Sequence, residues 1–240
     1  MSKVSIIMPI FNRNNFKNLI IINLLRLDYP LQDLEFVLLD DGEDKFIKSH
    51  EEYIEFENII KPIKFNYKWE AKRMEIGVKR NKLVKQATYN IIACMDSDDI
   101  YMSDYIKYSV DLLKNNKKGL VGSNQMLFCY PLDNFLMTGI QCGEKRMIHE
   151  ASMVFTKKHF RAMGGFKRNS QGEGVNMIDG MNSRTIGLTE ISKIMICICH
   201  SSNTINKDHF KKNKLNNTPT LDDFDKGLIL SCLPDMKHNN

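Results

Sequence analysis

Three carboxylates fall within four residues at Asp96-Ser97-Asp98-Asp99. Charges this crowded raise one another's proton affinity unless a cation or a set of hydrogen bonds neutralises them. Carboxylates are hard oxygen ligands suited to Mg2+ or Mn2+, ions that commonly bridge a few protein oxygens and the phosphates of a substrate. The competing reading is an acidic helix N-terminus, with Ser97, Asp98 and Asp99 capping and complementing the dipole of a following helix. A second acidic group, Asp40-Asp41-Gly42, joins two carboxylates to a turn residue. His200 follows an apolar run directly, an arrangement that can aim an imidazole at a site.

The elements that must position these groups can be read from hydrophobic periodicity. Val4 to Phe11 is a near-continuous apolar run broken by Pro9, the pattern of a fully buried strand ending in a loop. Phe16, Leu19, Ile20, Leu24 and Leu27 then recur at helical spacing, with Asn14 and Asn15 as caps and Tyr29-Pro30 as the stop. Leu34 to Leu39 is a second strand that ends in Asp40-Asp41-Gly42, and a third is expected from Ile59 to Phe65. Ile76, Leu83, Val84 and Ala87 mark a helix face, and Ile91 to Met95 is a fourth strand ending in acid. Strands alternating with helices imply an α/β fold with a doubly wound, mostly parallel sheet, and in such sheets ligands gather outside the carboxyl ends of the strands. Both acidic groups fall at such ends.

A helix capped by Ser103 is expected through Leu113, after which the pattern turns irregular. Short strand-like runs at Gly119 to Val121, Met126 to Tyr130 and Ser152 to Thr156 predict a mixed, partly antiparallel second half. Lys193 to Cys199 is the last strong strand, a helix opened by Thr220 carries Leu221, Phe224 and Leu228, and Lys237 to Asn240 should fray.

Composition narrows the classes. At 240 residues, with 42% hydrophobic and 26% charged residues, the chain reads as one globular domain, with the regular strand–helix alternation over 1–100 and an elaborated second half over 101–240. Disordered, fibrous and repeat classes do not fit. The net charge of +5 is spread out, with a modest cluster at Lys207, Lys211, Lys212 and Lys214, which argues against a nucleic-acid partner and leaves contact with an anionic membrane surface open. Six cysteines without C-x-x-C spacing, an N-terminus without a cleavage pattern and no apolar stretch approaching ~18 residues point to a reducing, cytoplasmic setting or to a domain of a longer protein.

Four segments in order carry a more specific likeness. Val4-Ser5-Ile6-Ile7-Met8-Pro9-Ile10-Phe11-Asn12-Arg13 resembles the opening strand and loop of the family 2 glycosyltransferases, which have the GT-A fold. Asp40-Asp41-Gly42 resembles that family's aspartate pair, Lys79-Arg80-Asn81 its basic segment, and Asp96-Ser97-Asp98 its D-x-D motif. The likeness covers roughly the first half and weakens beyond about residue 130. It implies that Pro9, Phe11, Asn12 and Arg13 border the nucleoside, that Asp40 or Asp41 reads the base, and that Arg80 faces the diphosphate. It further implies that Asp96, beside Ser97, contacts ribose or metal and that Asp98 ligates Mn2+ or Mg2+, with His200 a candidate third ligand. Gly164-Gly165-Phe166 and Gly172-Glu173-Gly174 resemble the segments that shape the acceptor site and supply the base. Gly174 stands where many relatives have an acid, so the base is Glu173 or else Asp179.

These expectations describe a metal-dependent, inverting transfer of a sugar from a nucleoside-diphosphate donor, UDP-sugar first, to a glycan or other hydroxyl acceptor. A nucleotidyltransferase, which would release pyrophosphate, and a catalytically silent sugar- or nucleotide-binding module are the alternatives.

Overall fold

The computed structural model describes residues 1–143, 147–178, 185–203, 205–215 and 218–233. The first half runs β1 (Val4–Ile10), α1 (Lys17–Leu25), β2 (Leu34–Asp40), α2 (His50–Ile60), β3 (Lys64–Trp69), α3 (Ile76–Gln86) and β4 (Ile91–Cys94). The second half runs β5 (Ile100–Tyr101), α4 (Tyr105–Asn115), β6 (Leu120–Gly122), β7 (Gln125–Tyr130), β8 (Leu136–Gln141), β9 (Val154–Thr156), α5 (Lys157–Met163), α6 (Val175–Ile178), β10 (Ile186–Leu188), β11 (Met195–Ile198) and α7 (Asp223–Cys232).

The main sheet has seven strands in the order β10-β6-β9-β4-β1-β2-β3. β3, β2, β1 and β4 are parallel, whereas β9 runs antiparallel to both β4 and β6. A second sheet of four strands, β5-β11-β7-β8, is mixed. The expected α/β fold with a partly antiparallel second half is therefore present, and β6, β9 and β10 of that half complete the sheet begun by the first.

Side-chain alternation explains why both sheet faces are covered. Along β2, Phe36 and Leu38 enter one core with Leu19, Leu24 and Phe56. Val37 and Leu39 enter the other with Leu83, Val84, Phe155 and Phe166. A strand buried on both faces cannot alternate with polar residues, hence the continuous apolar runs in the sequence.

Several boundaries differ from expectation. Ile59 and Ile60 end α2 instead of opening the third strand, which spans Lys64–Trp69. The signal for α2 was present: the Ser49 hydroxyl accepts from Glu52 N at 3.2 Å, and the Glu52 carboxylate reaches back to Lys48 N at 3.0 Å, close to a capping box. Asn14 and Asn15 do not cap α1; their amides bind Asp44 and the Cys232 carbonyl instead. Asp222, not Thr220, caps α7, and α4 begins at Tyr105 without a side-chain cap from Ser103 or Asp104. All six cysteines are free, and among the described residues no helix is long and apolar enough to cross a membrane.

Candidate functional site

The chain passes from β1 outward through β2 and β3, then returns to the opposite side of β1 as β4. The crevice between β1 and β4 is thus a topological switch point, where open α/β sheets bind ligands. β4 pairs with β1 only over Val4–Ile7, so the strands part before Pro9, whose ring has no N–H to offer a neighbour. A cleft of about 1090 Å³ opens there, walled by Pro9 to Arg13, Lys79 and Arg80, Asp96 to Asp99, and Glu173.

No helix follows the Asp96–Asp99 cluster: the next element is β5, which removes the capping reading. The four residues have separate roles. Asp98 Oδ2 lies 3.2 Å from His200 Nε2 and 3.3 Å from Arg13 Nη2. Burial alone would raise its proton affinity, but the His200 hydrogen bond and the Arg13 charge prevail and hold its pKa down to about 2. Asp99 turns the other way, accepting from Ile198 N at 3.1 Å and from the Cys197 thiol at 3.6 Å. Burial, then the Asp98 charge, push its pKa up to about 8, and its bonds to Ile198 N and Cys197 join the end of β4 to β11. Asp96 accepts from Arg80 Nη2 at 2.8 Å, and its backbone N–H donates to the Tyr101 hydroxyl at 2.7 Å. Ser97 is buried in the cleft wall.

The structure therefore joins Asp98 to His200 and turns Asp96 toward Arg80, and among the described residues no three His, Cys, Asp or Glu side chains converge on one point. The three-ligand set Asp96, Asp98 and His200 is not assembled. The Asp98 carboxylate still fits Mg2+ or Mn2+, ions commonly held by one or two carboxylates together with waters and substrate phosphates, and an added imidazole ligand suits Mn2+ better than Mg2+. His200 is held in place by Ser202 N, which donates to Nδ1 at 3.3 Å, and by a Phe16 ring 5.2 Å away.

Asp40 and Asp41 do not line the cleft. Asp40 is fully buried and accepts from Gly42 N (2.8 Å), Phe46 N (2.8 Å) and the Tyr67 hydroxyl (3.0 Å). Asp41 accepts from Lys79 Nζ at 2.6 Å and from Met74 N at 2.7 Å. Neither has a free oxygen edge on the cleft for a nucleobase, so base reading by this pair is corrected to a bracing role. Lys79 also donates to the Ile10 carbonyl at 2.8 Å, which ties α3 to the end of β1. At Gly42 a Cβ would lie 2.5 Å from Asn12 Oδ1, so glycine is needed for the loop carrying Asn12 (φ 51°) to approach. Asp40→Ala, which orphans three buried donors, should lower unfolding free energy by about 3 kcal/mol in urea titrations.

Arg80, 2% exposed, joins the two halves of the site. Its Nη2 holds Asp96, its Nε donates to Glu173 Oε1 at 3.1 Å, and its Nη1 is buried without a partner. Arg80 thus faces two carboxylates, Asp96 and Glu173, across the cleft wall. Glu173 is raised above the usual carboxylate range by burial, with Glu150 adding to the rise and Arg80 opposing it. Its loop is fastened to α3: Asn81 Nδ2 donates to the Phe166 carbonyl at 2.8 Å, Phe166 N returns to Asn81 Oδ1 at 2.9 Å, and Gly77 N donates to the Asn169 carbonyl at 2.9 Å. A Cβ at Gly77 would sit 1.8 Å from the Lys167 carbonyl oxygen. Gly77→Ala should therefore displace this loop and cost about 3 kcal/mol, measurable by thermal or urea unfolding. Asp179 lies outside the described residues.

Three further residues line the cleft: Lys79, which the sequence offered only within the basic segment beside Arg80, Lys207, which it offered only within a basic cluster, and Glu150, for which it gave no signal. Glu150 Oε1 accepts from Gly174 N at 3.1 Å, so it braces the Glu173 loop. His149 also lines the cleft, and burial lowers its pKa to about 4.

Solved structures share this architecture. The mannosyltransferase PcManGT from Pyrobaculum calidifontis, solved with GDP-Man and Mn2+, superposes with a TM-score of 0.63 at 19% identity over 87% of this chain and 58% of its own. S. aureus TarS 1-349 with UDP-GlcNAc gives 0.64 at 14% identity, covering 84% of this chain and 60% of that one. These likenesses establish the GT-A fold, and the chain spans about three fifths of the length of these structures. None of the curated proteins matches. The family model for glycosyl transferase family 2 matches residues 5–179, which include the β1 loop, α3, the aspartate cluster and Glu173. The chain belongs to glycosyl transferase family 2.

Proposed function

We propose that the protein is a metal-dependent, inverting glycosyltransferase that moves a sugar from a nucleoside-diphosphate sugar, UDP-sugar first, to a hydroxyl of a glycan or other acceptor. The observation that carries this reading is the pairing of Asp98 with His200 on one side of the cleft and of Arg80 with Glu173 on the other, at the crevice between β1 and β4. A donor whose diphosphate reaches Asp98 would present its anomeric carbon between these two pairs. The family membership and the nucleotide sugars bound to PcManGT and TarS support the donor class.

Asp98 and His200 would hold Mn2+ or Mg2+, which when bound acts as a Lewis acid toward the leaving diphosphate. Glu173 takes the proton from the acceptor hydroxyl, whose oxygen bonds to the anomeric carbon. The bond from that carbon to the diphosphate oxygen breaks, and its electron pair leaves with the diphosphate. Burial raises the proton affinity of Glu173, as suits a general base, while Arg80 and the clamp to α3 fix its direction. One displacement inverts the anomeric configuration and needs no covalent enzyme intermediate.

Product analysis tests this reading. Incubation with UDP-sugars, Mn2+ and a panel of simple glycosides should release UDP and yield a glycoside of inverted configuration by NMR. With a nucleoside triphosphate and a sugar 1-phosphate supplied instead, release of pyrophosphate would indicate a nucleotidyltransferase, and donor binding without turnover under any condition a silent module.

A further inference from the structure

Of the four lysines in the basic segment after β11, only Lys207 lines the cleft. Lys211 instead pairs with Asp133 at 2.8 Å and Asp208 at 3.0 Å on the outer side. The backbone around Lys207 is anchored. Its carbonyl accepts from the Tyr130 hydroxyl at 2.8 Å and from Phe210 N at 2.9 Å, and Phe210 stacks on Phe128 with centroids 4.9 Å apart and planes within 5°. A long, flexible side chain is thus launched from a fixed point.

The Lys207 side chain lines the cleft together with Asp98 and Asp99, yet among the described residues it forms no ion pair with a carboxylate. A half-buried cation held near carboxylates but bonded to none of them is placed to receive an anion entering the cleft. The anion such a donor brings is the diphosphate. With no third ligand converging on Asp98 and His200 among the described residues, an ion there leaves charge on a diphosphate for a second cation to meet.

We propose that Lys207 is a diphosphate-binding residue that shares the leaving-group charge with the metal, so that nucleoside diphosphates retain measurable affinity when the metal is removed. This inference rests on the nucleotide-sugar reading above. It adds to that reading a cation from the segment after β11, beyond the residues matched by the family model.

Isothermal calorimetry of the full chain with UDP, UMP and uridine, each with Mn2+ and with EDTA, tests it. Wild type should bind UDP in both conditions. Lys207→Met should weaken UDP about 10- to 100-fold in EDTA, weaken UMP less, and leave uridine unaffected, while Lys207→Arg retains most of the UDP affinity. A merely structural lysine would change all three ligands together. Equal UDP affinity in Lys207→Met and wild type, or a loss of equal size for uridine, overturns the role of Lys207 while leaving the nucleotide-sugar reading standing. Wild type is also titrated with GDP, and failure to bind UDP or GDP in any condition removes that reading and the inference with it. Near-ultraviolet circular dichroism verifies folding of both variants.

Discussion

Asp98→Ala should abolish Mn2+-stimulated sugar transfer, lowering kcat/KM by about 10³-fold or more, while the protein stays folded. The size follows from the position of the carboxylate. It is the one member of the cluster that meets His200, and the Arg13 guanidinium directs positive charge at it. Asp98→Asn separates charge from shape, because the amide keeps the volume and loses the anion. Both variants should lose the Mn2+-dependent increment of UDP binding in calorimetry. Retention of that increment in either variant would remove Asp98 from the metal site. Because the folded pKa lies near 2, below the ordinary carboxylate value of about 3.9, Asp98 contributes stability above that ordinary value and loses it as pH falls through about 2. The carboxylate is therefore fully ionised wherever activity is assayed, and acid below neutrality does not silence it.

Glu173→Gln should lower kcat by about 10²- to 10⁴-fold and leave donor affinity close to that of wild type. Glutamine can still accept from Arg80 Nε through its oxygen, so the loop and the Arg80–Asp96 bond persist while the proton acceptor is lost. Single-turnover assays with saturating donor separate the two effects. Full transfer by Glu173→Gln would mean that the proton leaves by another route, and unbound donor would mean that the residue serves structure. The pH dependence has opposite signs for activity and stability. Burial raises the folded pKa, so the catalytically competent anion appears only as pH rises through that raised value. The stability contribution of Glu173 is present below the unfolded pKa and is lost as pH rises through the folded one. A pH profile of kcat/KM should accordingly show an acidic limb in wild type that Glu173→Gln lacks.

Arg80 makes these two sites dependent on each other. A single buried guanidinium holds both Asp96, through Nη2, and Glu173, through Nε, while its Nη1 is buried without a partner. Removing it would leave two carboxylates facing a cleft without their shared cation, and breaking a buried pair on one side costs more than the pair contributes.

The sequence by itself determined the framework. The runs at Val4, Leu34 and Ile91 became β1, β2 and β4 because a parallel strand covered on both faces admits almost no polar residue. The placement of Asp96–Asp99 at a strand end was legible for the same reason. Local patterns failed where two readings share one composition: Ile59 and Ile60 suit a strand or the last turn of a helix, and the Ser49–Glu52 cap that decides between them lies ten residues upstream. Asp40-Asp41 looked like a ligand pair and proved to be a brace, because nothing in a dipeptide tells whether its oxygens meet backbone N–H groups or solvent.

What only the tertiary structure decided is partnership. Asp98 and His200 are 102 residues apart and Arg80 and Glu173 are 93 apart, and each pair meets because strands from both halves share one crevice. Hydrophobic burial sets where strands lie, and it is periodic and local in sequence. Charge pairing depends on which side chains arrive at the same few ångströms after the sheet closes, and no spacing along the chain encodes that.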